Sequence, residues 1–329
     1  MRQLAIGLIL VILIVGSYLF VHQDMYYAES SFLEQLTLVP TPSFRVITSV
    51  YEDLTPYSSQ DVSLVTHMST DRLDRLQALR NVWDGPISCV MYIRSTREAQ
   101  QLDIFAKEHF VGNIDIHVMY EPHGEAYPMN ILRNIAMNHA LTDFVLVLDA
   151  DFVPSRGLHA TLLNDTKSLE RLRSRTLMVL PAFEYRQGSD TDPLDKKEVI
   201  EMAQLEELGQ FHGYYPPGHR ATNYSHWYQA QEPYDITYEA GFEPYVVAYR
   251  PGLPQFWEEF RGFGFDKLSW FMHLHFMQYQ FFVAPYGFVL HHDHLDGGKG
   301  RKASKANTRE WIRFKKFLMK AYGATPDQM

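Results

Sequence analysis

Three observations predict an α/β protein built on a mostly parallel sheet with helices on both faces. Stretches of strand and helix character alternate between residues 62 and 148, the arrangement of βαβ units. The strand stretch FVLVL is an unbroken apolar run, which marks a strand covered on both faces. This stretch, 144–148, ends in two carboxylates one residue apart, Asp149 and Asp151. Open α/β sheets bind ligands beyond the carboxyl ends of their strands, so this pair lies where such a protein does its chemistry.

Each element has its own signature. VSLVTHM (62–68) reads as a strand and 71–81 as a helix, with Leu73, Leu76 and Leu79 spaced along one face. ISCVMYI (87–93) is the second strand, and its Cys89, the single cysteine of the chain, reads as a buried thiol with no disulfide to make. Ser95 and Thr96 can cap a helix running to about residue 108. IDIHVMY (114–120) is the third strand, 129–140 the third helix, and 144–148 the fourth strand, stopped by Pro154. This half resembles a Rossmann-like nucleotide-binding half but lacks G-x-G-x-x-G, so a dinucleotide is not the expected ligand. LMVLPAF (177–183) reads as a further strand. The stretch 213–235 is an aromatic, proline-rich loop long enough to be functional. Its Tyr and Trp edges suit the stacking of sugar rings; packing of the loop onto the core is the alternative.

The N-terminus carries a different signal. Residues 5–21 are uncharged, near the lower length limit for crossing a bilayer. Arg2 precedes them and no Lys or Arg follows until Arg45, which keeps the N-terminus cytoplasmic. The expected organisation is a cytoplasmic tip and signal anchor (1–24), a stalk (25–44) and one lumenal domain (45–329), with a cleaved signal peptide as the alternative. Two sequons, at Asn164 and Asn223, are open to glycosylation in a lumenal domain. A net charge of −9 argues against a nucleic-acid partner.

Two carboxylates at the edge of a core cost several kcal/mol unless compensated. A divalent cation shared with phosphates compensates them; a capped strand end before a solvated loop is the bland reading. A second D-x-D, Asp190 and Asp192, lies in a polar stretch with no strand before it and is not expected to be functional. In FVLHHDHLDGGKGRK (288–302), a strand delivers His291 as a candidate third metal ligand, and Lys299, Arg301 and Lys302 follow as candidate phosphate partners. A ligand-free His cluster, or a zinc site of His291, His292 and His294, is the alternative.

The segments YPMNILRNIAMNHALTDFVLVLDADFVPS, LMVLPAFEYR, GHRATNYSHW, FEPYVVAYR, RGFGFDKLS and FVLHHDH resemble, in that order, the LARGE-type glucuronyltransferase family (glycosyltransferase family 49). The resemblance extends over about residues 60–322. It implies a GT-A fold, Mn²⁺, a UDP-sugar donor (UDP-glucuronate in characterised members), inversion at the anomeric carbon, a glycan or glycoprotein acceptor, and a type II Golgi membrane anchor. It matches Asp149 and Asp151 to the metal–diphosphate site and His291 to the third ligand. Asn130, Arg133 and Asn134 match a helix placed to meet the donor, where Arg133 pairs with a uronate carboxylate or a phosphate, or else anchors helix to sheet. Asp266 matches a position where inverting enzymes often carry the base, with Glu243 as the alternative. With room for one such domain, the chain is expected not to polymerise a disaccharide alone, which makes a glycosyltransferase partner or a homodimer an open expectation. The rival readings are an inactive membrane-tethered glycan-binding protein and a metal-dependent phosphohydrolase.

Overall fold

The computed structural model describes residues 44–328, apart from residues 53, 110–111, 122–123, 125, 187–191, 194 and 293–301. The expected anchor and stalk, and with them Asp190, His294, Lys299 and Arg301, lie outside the described residues. Among those that are described, no helix is long and apolar enough to cross a membrane.

The first half follows the predicted alternation closely. Its elements are β1 (Arg45–Tyr51), β2 (Val62–Ser69), α1 (Leu73–Val82), β3 (Ile87–Ile93), α2 (Thr96–His109), β4 (Ile114–Tyr120), α3 (Met129–Asn138) and β5 (Phe144–Val147). Strands β4, β3, β2 and β5 lie side by side and parallel. Their apolar runs are continuous because both faces are covered: Phe144, Leu146 and Leu148 point into one core cluster, Val145 and Val147 into the other. Cys89 is fully buried in β3. β1 was not expected; it pairs antiparallel on β4 as the sheet edge, formed by a stretch whose half-exposed residues give no continuous apolar run.

The second half departs further from expectation. In chain order it contains β6 (Phe152–Pro154), α4 (Leu158–Asn164), α5 (Thr166–Leu172), β7 (Thr176–Leu180), β8 (Ala182–Tyr185), α6 (Lys196–Gln204), β9 (Leu208–Gln210), α7 (Tyr224–Gln229), β10 (Tyr234–Ile236), β11 (Tyr245–Tyr249), α8 (Asp266–Phe276), β12 (Gln280–Val283), β13 (Val289–His291) and α9 (Lys305–Tyr322). The main sheet runs β1-β4-β3-β2-β5-β11-β7-β12-β10. β11 is antiparallel to both β5 and β7, and β10 to β12, so the sheet is mixed, with β2, β3, β4, β5, β7 and β12 sharing one direction.

The single strand expected over 177–183 is two strands in two sheets. Pro181 has no N–H for a ladder, and there the chain leaves β7 for a four-stranded sheet, β6-β13-β8-β9. The stretch read as one loop over 213–235 also holds α7 and most of β10. Trp227 of α7 is fully buried, its indole N–H donating to Ala284 O at 2.9 Å.

Candidate active site

The site forms where the two sheets meet. After β5 the chain turns, with Phe152 N donating to Asp149 O at 3.0 Å, and enters β6. Asp149 and Asp151 flank that turn. β6 pairs with β13, whose last residue His291 stands opposite Phe152. The second sheet thereby sets His291 Nε2 3.5 Å from Asp151 Oδ2.

Asp149 has a different environment. Its Oδ1 accepts from Arg133 Nη2 at 2.8 Å, and its Oδ2 accepts from Lys267 Nζ and from the Tyr245 hydroxyl, each at 2.9 Å. Lys267 also donates to that hydroxyl at 2.9 Å and lies 4.0 Å from the ring centroid. Burial alone would raise the Asp149 carboxyl, but Lys267 and Arg133 outweigh it and hold it well below the usual carboxylate range. Both oxygens are engaged by cations, so in this arrangement Asp149 ties Arg133, Lys267 and Tyr245 together.

The helix expected to meet the donor is also turned inward. Arg133 is 3% exposed, and its Nη1 donates to Asp266 Oδ2 at 2.8 Å and to Asn130 Oδ1 at 2.9 Å. Asn130 donates to Trp257 O, and Asn134 exchanges two hydrogen bonds with the Phe256 backbone. Buried amides already bonded to backbone have little left for a ligand. Asn130, Arg133 and Asn134 therefore tie α3 to the segment that leads into α8. Of the two readings left open for Arg133, the anchoring one matches this geometry.

Asp266 opens α8 after Phe265, a non-glycine residue held at φ 68°. Such backbone is costly and is kept only where surroundings enforce it. Here Asn307 of α9 enforces it: 2% exposed, it donates to the carbonyls of Arg261, Phe263 and Gly264 at 3.0–3.2 Å. The Asp266 carboxylate is not a helix cap; it is the second carboxylate bound by Arg133.

Asp151 has different neighbours. Burial would raise its carboxyl, but His291 and Arg72 bring it below the ordinary range. Arg72, which the sequence reading passed over, is 33% exposed and lies 3.8 Å from Asp151 Oδ2. Among the described residues no group of three or more His, Cys, Asp or Glu converges on one point. Asp151 and His291, facing each other, would offer a divalent cation a carboxylate and an imidazole, a donor set that suits one shared with phosphates. Asp192 accepts from the Tyr185 hydroxyl at 2.6 Å and lies 3.1 Å from His292 Nε2, bracing the strand end beside His291.

Glu243 precedes β11, its N–H donating to Gly218 O at 3.0 Å. Burial pushes its carboxyl up to about 7; Lys267 opposes that, and Asp266 and Asp149 reinforce it. Among the described residues its carboxylate has no hydrogen-bond or ion-pair partner. Lys267 and Tyr245, which complete the site, also went unread, although both lie within motifs quoted above. Nothing in sequence says that a lysine after Asp266 reaches across to Asp149.

Comparison with known proteins shows the family. A family profile described as "Glycosyl-transferase for dystroglycan" matches residues 106–323. The human xylosyl- and glucuronyltransferase LARGE1 is 36% identical over 249 residues, covering 74% of this chain and 32% of its own. The mouse xylosyl- and glucuronyltransferase LARGE2 is 37% identical over 245 residues, covering 73% and 35%. The chain thus spans about a third of the length of these relatives. Among solved structures, GalNAc-T7 with UDP, GalNAc and Mn²⁺ aligns with a TM-score of 0.48 at 13% identity, over 79% of this chain and 49% of that one. Matched over most of its length by the family profile and by relatives above one-third identity, the chain belongs to glycosyltransferase family 49.

Proposed function

We propose that this chain is an inverting, GT-A-type glycosyltransferase that moves glucuronate from UDP-glucuronate to a glycan or glycoprotein acceptor, with Glu243 as the general base. The donor rests on the names of the relatives, which are xylosyl- and glucuronyltransferases. A single-pass anchor with its N-terminus cytoplasmic rests on the uncharged run 5–21 behind Arg2, and placement in the Golgi on the family resemblance.

One observation carries the choice of base: of the four site carboxylates, Glu243 alone has no cationic partner among the described residues. Asp149 and Asp266 are bound to Arg133, and Asp151 faces His291. A base must have a free carboxylate oxygen within reach of the acceptor, and a pKa near 7 suits it to take a proton at neutral pH. In the transfer, the acceptor hydroxyl passes its proton to Glu243 as its oxygen bonds to the anomeric carbon. The bond from that carbon to the diphosphate oxygen breaks, and its electron pair leaves with UDP. A divalent cation held by Asp151 and His291 would neutralise charge on the leaving diphosphate. Arg72, half-exposed beside Asp151, suits a second phosphate contact, and Lys299 stays a candidate from its glycine-rich context.

The test is UDP release by the full-length protein with UDP-glucuronate, UDP-xylose and UDP-glucose across an acceptor panel. Preference for UDP-glucuronate by about tenfold or more in kcat/KM is expected. Equal turnover of UDP-glucose would contradict the donor assignment.

A further inference from the structure

The aromatic stretch that follows β9 divides into two populations. Tyr224 and Trp227 are buried in the core beside Phe183. Tyr214 and Tyr215 are 56% and 41% exposed. Packing onto the core accounts for the first pair and leaves the second unexplained.

Their position joins the two sides of the site. Gly213 N lies 3.5 Å from Glu184 Oε1, and Glu184 is the strand neighbour of His291. At the other end of the same turn, Gly218 O accepts from Glu243 N. Tyr215 and Glu243 converge over Gly218. A Cβ placed there would lie 3.3 Å from Tyr215 Cδ1 and 3.9 Å from Glu243 Cγ, so both side chains line the space that this glycine leaves. The Tyr215 hydroxyl in turn lies 3.0 Å from where a Cβ on Gly241 would stand, two residues before Glu243. The turn is also preset. Tyr215 N donates to His212 O at 2.7 Å, and Gly218 N to Tyr215 O at 3.1 Å. His212 is held at φ 53° with its ring stacked on Phe211 at 3.8 Å. A tyrosine on a preset turn offers an apolar ring face at low entropic cost.

We propose that Tyr214 and Tyr215 form the acceptor subsite, Tyr215 stacking on one face of a pyranose so that a ring hydroxyl is presented to Glu243. The chemistry fits: a pyranose has an apolar C–H face for the ring and hydroxyls at its rim for a carboxylate. This assignment rests on the reading of Glu243 as the base.

The test uses the full-length protein with UDP-glucuronate as donor and p-nitrophenyl β-xyloside, β-glucoside and β-galactoside as acceptors. Loss of one stacking face is expected to raise acceptor KM about five- to tenfold in Tyr215→Ala. Tyr214→Ala is expected to raise it about twofold or more. Donor KM and kcat at saturating acceptor are expected to stay within about twofold in both, and Tyr215→Phe, which keeps the ring, is expected to match wild type. Unchanged acceptor KM in the alanine variants would overturn the subsite while leaving the transferase reading intact. A rise in Tyr215→Phe as large as in Tyr215→Ala would replace stacking by a hydroxyl contact and also overturn it. Matched losses of donor KM, kcat and melting temperature would mark a packing role. Wild-type protein that releases no UDP with any acceptor would overturn the transferase reading itself, and the subsite with it.

Discussion

Replacing Glu243 by Gln separates chemistry from folding in one variant. Burial moves this carboxyl from 4.5 to about 7 in the folded protein. A group whose folded pKa lies above its unfolded one contributes stability below pH 4.5 that is lost as pH rises through about 7. At pH 8 the wild type therefore bears the cost of a charged carboxylate that Lys267 compensates only in part, at most about 3–4 kcal/mol for a rise from 4.5 to about 7 and about 1–3 kcal/mol after local relaxation. Glu243→Gln escapes that cost, so its melting temperature should exceed that of wild type at pH 8, by about 2–4 °C per kcal/mol. The advantage should shrink steadily toward pH 4.5. In the same protein, kcat should fall roughly 10²–10⁴-fold with donor affinity kept. Wild-type kcat should rise as pH passes through about 7 and then level off, because only the ionised base accepts a proton. Thermal melts at pH 5 and 8 and UDP release across pH 6–8 supply every reading. An advantage equal at both pH values, or near-normal kcat in the variant, would refute the assignment.

Asp266→Asn should remove a partner of a buried guanidinium and cost about 3 kcal/mol in urea titration, yet keep kcat within about tenfold; a 10³-fold loss with normal stability would return the base to Asp266. Asp151→Asn and His291→Ala should each weaken Mn²⁺ binding in the presence of UDP roughly 10–100-fold by calorimetry. Asp149→Asn should act mainly on stability, because Arg133 and Lys267 lose their shared anchor. Asn307→Ala should release the Arg261–Gly264 loop at a cost of about 2–3 kcal/mol, since three carbonyls and the Arg261 N–H lose a buried partner; an unchanged melting temperature would show that the loop holds itself.

The elements legible in sequence are those that one contiguous stretch specifies. β3 and β4 lie over the residues that their apolar runs mark, because burial on both faces imposes a run of residue types that needs no partner to be read. The strand-end carboxylate pair, the arrival of His291 on a late strand, and the family are legible for the same reason. β1 was missed because a strand with half-exposed residues leaves a weaker local trace.

Which carboxylate does which job is not written locally. Asp149 and Asp151 are alike in sequence, yet Arg133 and Lys267 reach Asp149 from 16 and 118 residues away, whereas Asp151 faces His291. Asp266 and Glu243 are both plausible bases on paper, and a single salt bridge to Arg133 distinguishes them. Charge compensation acts through space over a few ångströms and depends on which side chains the fold brings within that range. The alternation of strands and helices over residues 62–148, the position of the acidic pair and the family were determined by the sequence alone. The charge environment of each of the four carboxylates was decided only when two sheets and the helices α3 and α8 came together around them.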